Sequence, residues 1–147
     1  MALCISARND KDFLAMLIKS VMDETSNQHP ALDHRQVIRF FRKSIPSFAC
    51  EPGCHDCCGP VTASSEEVSR LPQKTEAAHV EALANYNCVY LGVNGCQVYD
   101  ERPLICRLFG TTPRLLCPKG KVPAVMIDEK IEADIHRFMA DTRQVLL

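Results

Sequence analysis

The sequence predicts a mostly α protein (α+β), with short helices around a cysteine-rich loop and one small β-hairpin. Three observations carry this reading. Apolar residues recur at three-and-four spacing in several segments that open on Asp or Ser and stop at Pro. The stretch Phe48–Gly59 gathers four of the nine cysteines within nine residues, between turn-forming Pro and Gly. The period changes to a strand-like one in Cys88–Tyr99, where two short β-like runs flank Asn94-Gly95, a strong hairpin signal. A chain of 147 residues is read as one domain, 1–147.

Taken in order, Arg8 to Ser44 is helical in pattern. Phe13, Leu14, Leu17, Ile18, Val21 and Met22 form one stripe, with Asp10 or Asp12 as cap. Thr25–Pro30 breaks it. A second helix starts at Asp33, with Gln36 in capping-box position, buries Val37, Ile38, Phe40 and Phe41, and ends at Pro46. Residues 1–46 are therefore an N-terminal helical segment that serves packing, with His29 and His34 solvated near the break. Beyond the cysteine loop, Ser64 and Glu67 form a capping box, with Val68 and Leu71 inward and Pro72 as stop. Glu76–Tyr86 forms a helix with Ala77, Val80 and Leu83 on its buried side and His79 exposed. The hairpin places Cys88 and Cys96 on opposite strands. Lys121–Met126 reads as a short edge strand. Asp128 caps a C-terminal helix over 128–147 that buries Ile131, Ile135, Phe138, Thr142 and Val145, with His136 packed beside that stripe.

Composition narrows the function classes. Hydrophobic residues make up 46% and charged residues 24%, as in an ordinary globular protein. A net charge of −1, no Trp and 6% aromatic residues argue against nucleic acid as partner. No run approaches a membrane span, and the start lacks the basic and apolar regions of a secretory signal. The expected setting is cytoplasmic, where thiols stay reduced. Clustered cysteines there serve metal binding or catalysis rather than disulfides. No phosphate-binding glycine loop, dinucleotide fingerprint or hydrolytic triad is legible.

The chemistry lies in the thiols. Cys50, Cys54, Cys57 and Cys58 are separated by gaps of three, two and none. Soft thiolates at such spacing hold one centre from several sides. Adjacent Cβ vectors diverge, so Cys57 and Cys58 are expected to point to different places. Cys88, Cys96, Cys106 and Cys117 supply the distal ligands, and residues 48–117 form the metal-binding core. Cys4 has no partner at metal spacing. His55 sits inside the loop, where an ordinary loop side chain is the default. Four thiolates around a divalent metal leave a net −2 charge, which Arg102, Arg107, Arg114, Lys119 or Lys121 can offset. Arg107 is favoured as the donor beside the cofactor.

Cys50-x3-Cys54-x2-Cys57-Cys58-Gly59, Cys88, Gly95-Cys96 and Arg102-Pro103-x2-Cys106-Arg107 together resemble the CxxCxxCC (YkgJ-like) cysteine-cluster family of zinc- or iron-chelating domains. The resemblance covers Phe48 to Phe109. One departure is the gap of three between Cys50 and Cys54, where the family name implies two. The same triplet spacing occurs in radical S-adenosylmethionine enzymes, but too little chain follows for their barrel. Two cofactors stay open: an iron–sulfur cluster, favoured by the triplet and by thiols in excess of four, or Zn²⁺, since eight cysteines also make two four-thiolate sites. Three functions follow. One is a carrier or redox protein that meets a protein redox or metal-delivery partner. Another is an oxidoreductase-like iron–sulfur enzyme. The third is a structural zinc module for protein–protein interaction.

Overall fold

The computed structural model describes residues 33–147. The expected stripe from Phe13 to Met22, its caps at Asp10 or Asp12, Cys4 and His29 lie outside the described residues. The chain divides into two units between Val37 and Ile38, and the second, Ile38–Leu147, is compact. Five α-helices and two small antiparallel sheets lie among the described residues, so the α+β expectation holds. No helix among them is long and apolar enough to cross a membrane.

Helix α1 (His34–Ser44) begins where the sequence places it. The Asp33 carboxylate accepts the Arg35 amide at 3.0 Å, and the Asp33 carbonyl accepts those of Gln36 and Val37. Arg42 and Lys43 in the last turn suit the negative end of the helix dipole. Ile38, Phe41 and Ile45 are buried. The Phe41 ring meets Phe138 edge to face, with centroids 5.8 Å apart.

A short strand, β1 (Thr62–Ser64), leads directly into helix α2 (Ser65–Val68). The turn between them is the expected capping box, and it reaches further than a local cap. One Glu67 carboxylate oxygen accepts the Ser64 amide at 3.0 Å and its hydroxyl at 2.7 Å. The other accepts the Leu104 amide at 2.7 Å. That amide opens helix α4 (Leu104–Leu108), which carries Cys106. Glu67 is thus a buried carboxylate whose ligands come from two distant segments.

Helix α3 (Glu76–Ala84) forms, capped by Thr75, but on a different face from the one expected. Val80 and Leu83 are 63% and 48% exposed, while Ala78 and Ala82 pack on the core of Ala63, Leu71, Val89, Tyr90 and Leu147. The segment is apolar on two sides, so periodicity alone does not choose. The small alanines allow closer approach to that core. His79, expected to be exposed, is half-buried. The helix ends with Tyr86 at φ 56°. The Tyr86 amide bonds the Leu83 carbonyl and the Asn87 amide bonds that of Ala82. This is a Schellman closure, with tyrosine at the left-handed position that favours glycine.

The hairpin pairs β2 (Leu91–Gly92) with β3 (Gly95–Cys96), Gly92 opposite Gly95. Its tip is Val93-Asn94, one residue earlier than the Asn94-Gly95 reading. Gly95 opens β3 at φ +100°, which calls for glycine, and its nearest neighbours are backbone atoms of Gly53 and Cys54. Cys88 precedes β2 in a turn, where its carbonyl accepts the Leu91 amide, so it is not on a strand.

The last helix, α5 (Glu129–Asp141), is capped by Asp128 and stops well short of the C-terminus. Thr142 turns extended, and β4 (Gln144–Leu146) pairs antiparallel with β1, Ala63 opposite Val145. Val145 therefore belongs to a strand: pairing with β1 supplies backbone partners that a frayed helix end lacks. His136 is exposed and lies 3.5 Å from Glu132. The expected edge strand at Lys121–Met126 does not form; Pro123 removes an amide there, and the Ile127 amide instead bonds the Thr111 carbonyl.

Two stability outcomes follow. Glu67→Gln sets an amide NH₂ against one of the donors that now meet oxygen, and it is expected to lose about 2 kcal/mol in chemical denaturation of the metal-loaded protein. Tyr86→Gly relieves a left-handed tyrosine whose side chain is 82% exposed, and it is expected to gain about 1 kcal/mol. An unchanged or lowered midpoint for the second variant would contradict this account of the α3 terminus.

Candidate metal centre

The loop is built from two successive turns. The Cys54 amide bonds the Glu51 carbonyl at 3.0 Å across Pro52-Gly53, with Gly53 at φ +74°. Proline followed by a left-handed glycine is the signature of a type II turn. The Cys58 amide then bonds the His55 carbonyl at 2.8 Å. These turns bring Cys57 and Cys58 round to face the hairpin and α4.

Five thiols act on one another electrostatically. Cys58 feels the charges of Cys57, Cys96 and Cys106. Cys106 feels those of Cys88, Cys96 and Cys57. They arrive from the loop, the turn before β2, strand β3 and helix α4. The expectation that the adjacent pair diverges is corrected: the Cys58 thiol hydrogen-bonds the Cys57 sulfur. That bond is the main reason the Cys57 thiol is pulled down to about 6, against the opposing effect of burial; a backbone amide and the Arg102 charge assist. The same bond, with burial, pushes Cys58 far up. Burial pushes Cys106 up to about 12 and also raises Cys88.

The other predicted ligands have different surroundings. Cys54 and His55 line a polar hollow of about 280 Å³ with Glu51, Asp56 and Lys119. Lys119 pairs with Asp56 there at 3.3 Å. Cys117 lies against Gly110, where a Cβ would meet Phe48 Cζ at 2.5 Å and Cys117 Cβ at 3.2 Å; Gly110 is also left-handed at φ +79°. This glycine lets the Cys117 turn approach the start of the loop. Cys50 is half-buried in that start. All eight cysteines among the described residues are free thiols of intermediate exposure.

The cations sort differently from the sequence reading. Arg107 donates to the main-chain carbonyls of Arg102 at 3.0 Å and Asp100 at 2.5 Å, so it braces the turn before α4. Burial and the neighbouring Arg42 and Arg102 lower it to about 10. Arg102 is the arginine whose charge acts on Cys57 and Cys106, while its guanidinium stacks 3.8 Å from the Tyr99 ring centroid. Lys74 acts on Cys88. Arg114 is paired with the buried Glu132 at 2.7 Å. Lys74 was missed because it stands alone in sequence, without a motif to mark it. Glu67 was visible only as a local cap; its bond to Leu104 spans 37 positions.

The donor chemistry suits a thiophilic metal: five soft sulfurs act on one another electrostatically, one already favours its charged form, and the Arg102 and Lys74 charges act on them. Among the described residues no three His, Cys, Asp or Glu side chains are grouped so as to hold an ion. Fold and donors together define a small α+β protein with a cysteine cluster suited to metal. The family model CxxCxxCC, described as "Putative zinc- or iron-chelating domain", matches residues 49–136. That is more than half of the chain, and the chain belongs to this family. The match runs past the motifs ending at Phe109 and takes in most of α5. No curated protein and no solved structure matches the chain.

The Cys57–Cys58 bond has a pH signature. With its thiol pulled down to about 6, Cys57 is expected, in reduced, metal-free protein, to be a thiolate above that pH and protonated below it. Iodoacetamide labelling of Cys57, followed by peptide mass spectrometry, is expected to rise through that pH and then plateau. Cys58→Ala removes the donor and is expected to move the midpoint up by more than one pH unit. A midpoint unmoved in that variant would rule out the hydrogen bond as cause.

Proposed function

We propose that the protein holds an iron–sulfur cluster on ligands drawn from Cys57, Cys58, Cys88, Cys96 and Cys106, and serves as a redox or metal-handling protein. The observation that supports this reading is the electrostatic coupling of five half-buried thiols from four chain segments. One tetrahedral ion takes four ligands, so a fifth thiol leaves one free for exchange. Partial exposure of the whole set suits electron or metal exchange with a partner better than a buried structural staple. Bound there, a cluster supplies one-electron chemistry. Arg102 and Lys74 offset the thiolate charge, Glu67 fixes the helix that bears Cys106, and Gly95 seats the hairpin bearing Cys96 against the Gly53-Cys54 backbone.

Zinc is the second reading, favoured by the total of eight free thiols, enough for two closed four-thiolate sites. In that case the protein is a redox-silent module that engages another protein.

Anaerobic purification with a visible spectrum and metal and sulfide analysis on one sample separates the two. A brown protein with iron matched by acid-labile sulfide supports the cluster. A colourless protein holding zinc overturns it in favour of the module. On the cluster reading Cys106→Ser is expected to lose most of the metal, whereas Cys117→Ser retains most of it; on the two-site zinc reading each variant loses about half. Chelation is expected to lower the thermal midpoint and the circular dichroism of the cysteine core, because metal-ligand bonding is also folding energy. A chelated sample with an unchanged melt would contradict a metal that supports the fold.

A further inference from the structure

A second concave surface lies apart from the thiols. A hollow of about 380 Å³ is bounded by α2, the segment leading to α3, Tyr90 and β4. Its size falls at the small end of ligand sites, roughly 300–1,000 Å³. Val68, Leu71, Tyr90 and Val145 supply an apolar floor, and Lys74 and His79 stand among serines and a glutamine around it. None of the described residues lining it is acidic.

The polar groups at the rim are fixed in place. The Lys74 ammonium donates to Gln97 Oε1 at 2.9 Å and lies 5.5 Å from the Tyr90 ring centroid. Gly92 makes room for that arrangement, since a Cβ there would meet Gln97 Nε2 at 2.9 Å. The Tyr90 hydroxyl is committed to the Pro72 carbonyl at 2.8 Å, which leaves the ring for apolar contact. His79 is half-buried and lines the hollow from α3.

We propose that this hollow binds a small organic acid, with its carboxylate at Lys74 and His79 and its apolar body on Val68, Leu71, Tyr90 and Val145. A single ammonium with one imidazole, and no arginine fork, matches one carboxylate better than a phosphate. The floor adds hydrophobic contact that a bare anion lacks. The Tyr90 amide also points at Cys88 Sγ, 3.5 Å away, so the occupant sits against the wall of the thiol cluster. The site does not depend on which metal the thiols hold.

Calorimetric titration of the metal-loaded protein with 4-phenylbutyrate tests this. Saturable binding with a Kd of about 1 mM or tighter is expected. The uncharged 4-phenylbutanamide is expected to bind at least ten-fold more weakly. Lys74→Gln and Ser69→Glu are each expected to weaken 4-phenylbutyrate ten-fold, and Ser69→Glu, which lies outside the thiol cluster, is expected to do so with thermal midpoint and metal content unchanged. Absence of saturation at roughly ten times that concentration overturns the site, as does equal binding of acid and amide. Tighter binding of N-acetyl-Gly-Gly-Phe than of 4-phenylbutyrate overturns the small-acid assignment in favour of a peptide C-terminus. Metal content read on the same sample keeps each of these outcomes separate from the metal reading.

Discussion

A buried carboxylate organises the cysteine-bearing part of this chain. Glu67 accepts the Ser64 amide and hydroxyl on one oxygen and the Leu104 amide on the other. Removing a charge from water is costly, and three charge-assisted hydrogen bonds offset that cost only if both segments are held in place. The constraint runs both ways. The β1–α2 corner fixes the start of α4, and α4 fixes the corner. Since β1 also pairs with β4, the C-terminal strand is tied to the helix that presents Cys106. No long element spans the cysteine core, so such point contacts stand in for extended sheet or helix packing. Glu132 repeats the device at the next corner, accepting from the Thr112 hydroxyl and the Arg114 guanidinium.

On this frame the thiols behave as an electrostatic group. Five sulfurs brought close cannot all carry charge without a cation between them. The adjacent Cys57 and Cys58 resolve this in the metal-free state by sharing one proton: Cys57 takes the charge and Cys58 the hydrogen. Cys106 and Cys88 stay protonated through burial. A metal bound at these thiols would supply the missing positive charge and would displace the protons that Cys58, Cys88 and Cys106 hold. Arg102 and Lys74 supply part of the same compensation, while Arg107 serves the backbone of the turn. Two arginines separated by four residues thus do different work, because α4 directs Arg107 back toward the Asp100 carbonyl.

Much of this was legible in the sequence, for a shared physical reason. Caps at Asp33, Ser64 and Asp128 are local, each needing only its next three residues, and all three form. The Pro52-Gly53 turn is equally local, as is the clustering of cysteines that marks the family. These features carry the α+β class and the membership of the cysteine-cluster family.

Tertiary structure decided the rest. Which face of α3 is buried depended on the close approach its alanines permit, and the sequence offered two apolar sides. The change from helix to strand after Asp141 depended on a partner strand at Thr62–Ser64, about eighty positions away in the chain. The gathering of Cys57 and Cys58 with Cys88, Cys96 and Cys106 depended on the Gly95 backbone contact and on the second oxygen of Glu67. Sequence patterns report short-range preferences. An array of thiols drawn from four segments is a long-range arrangement, and only the packing of those segments selects its members.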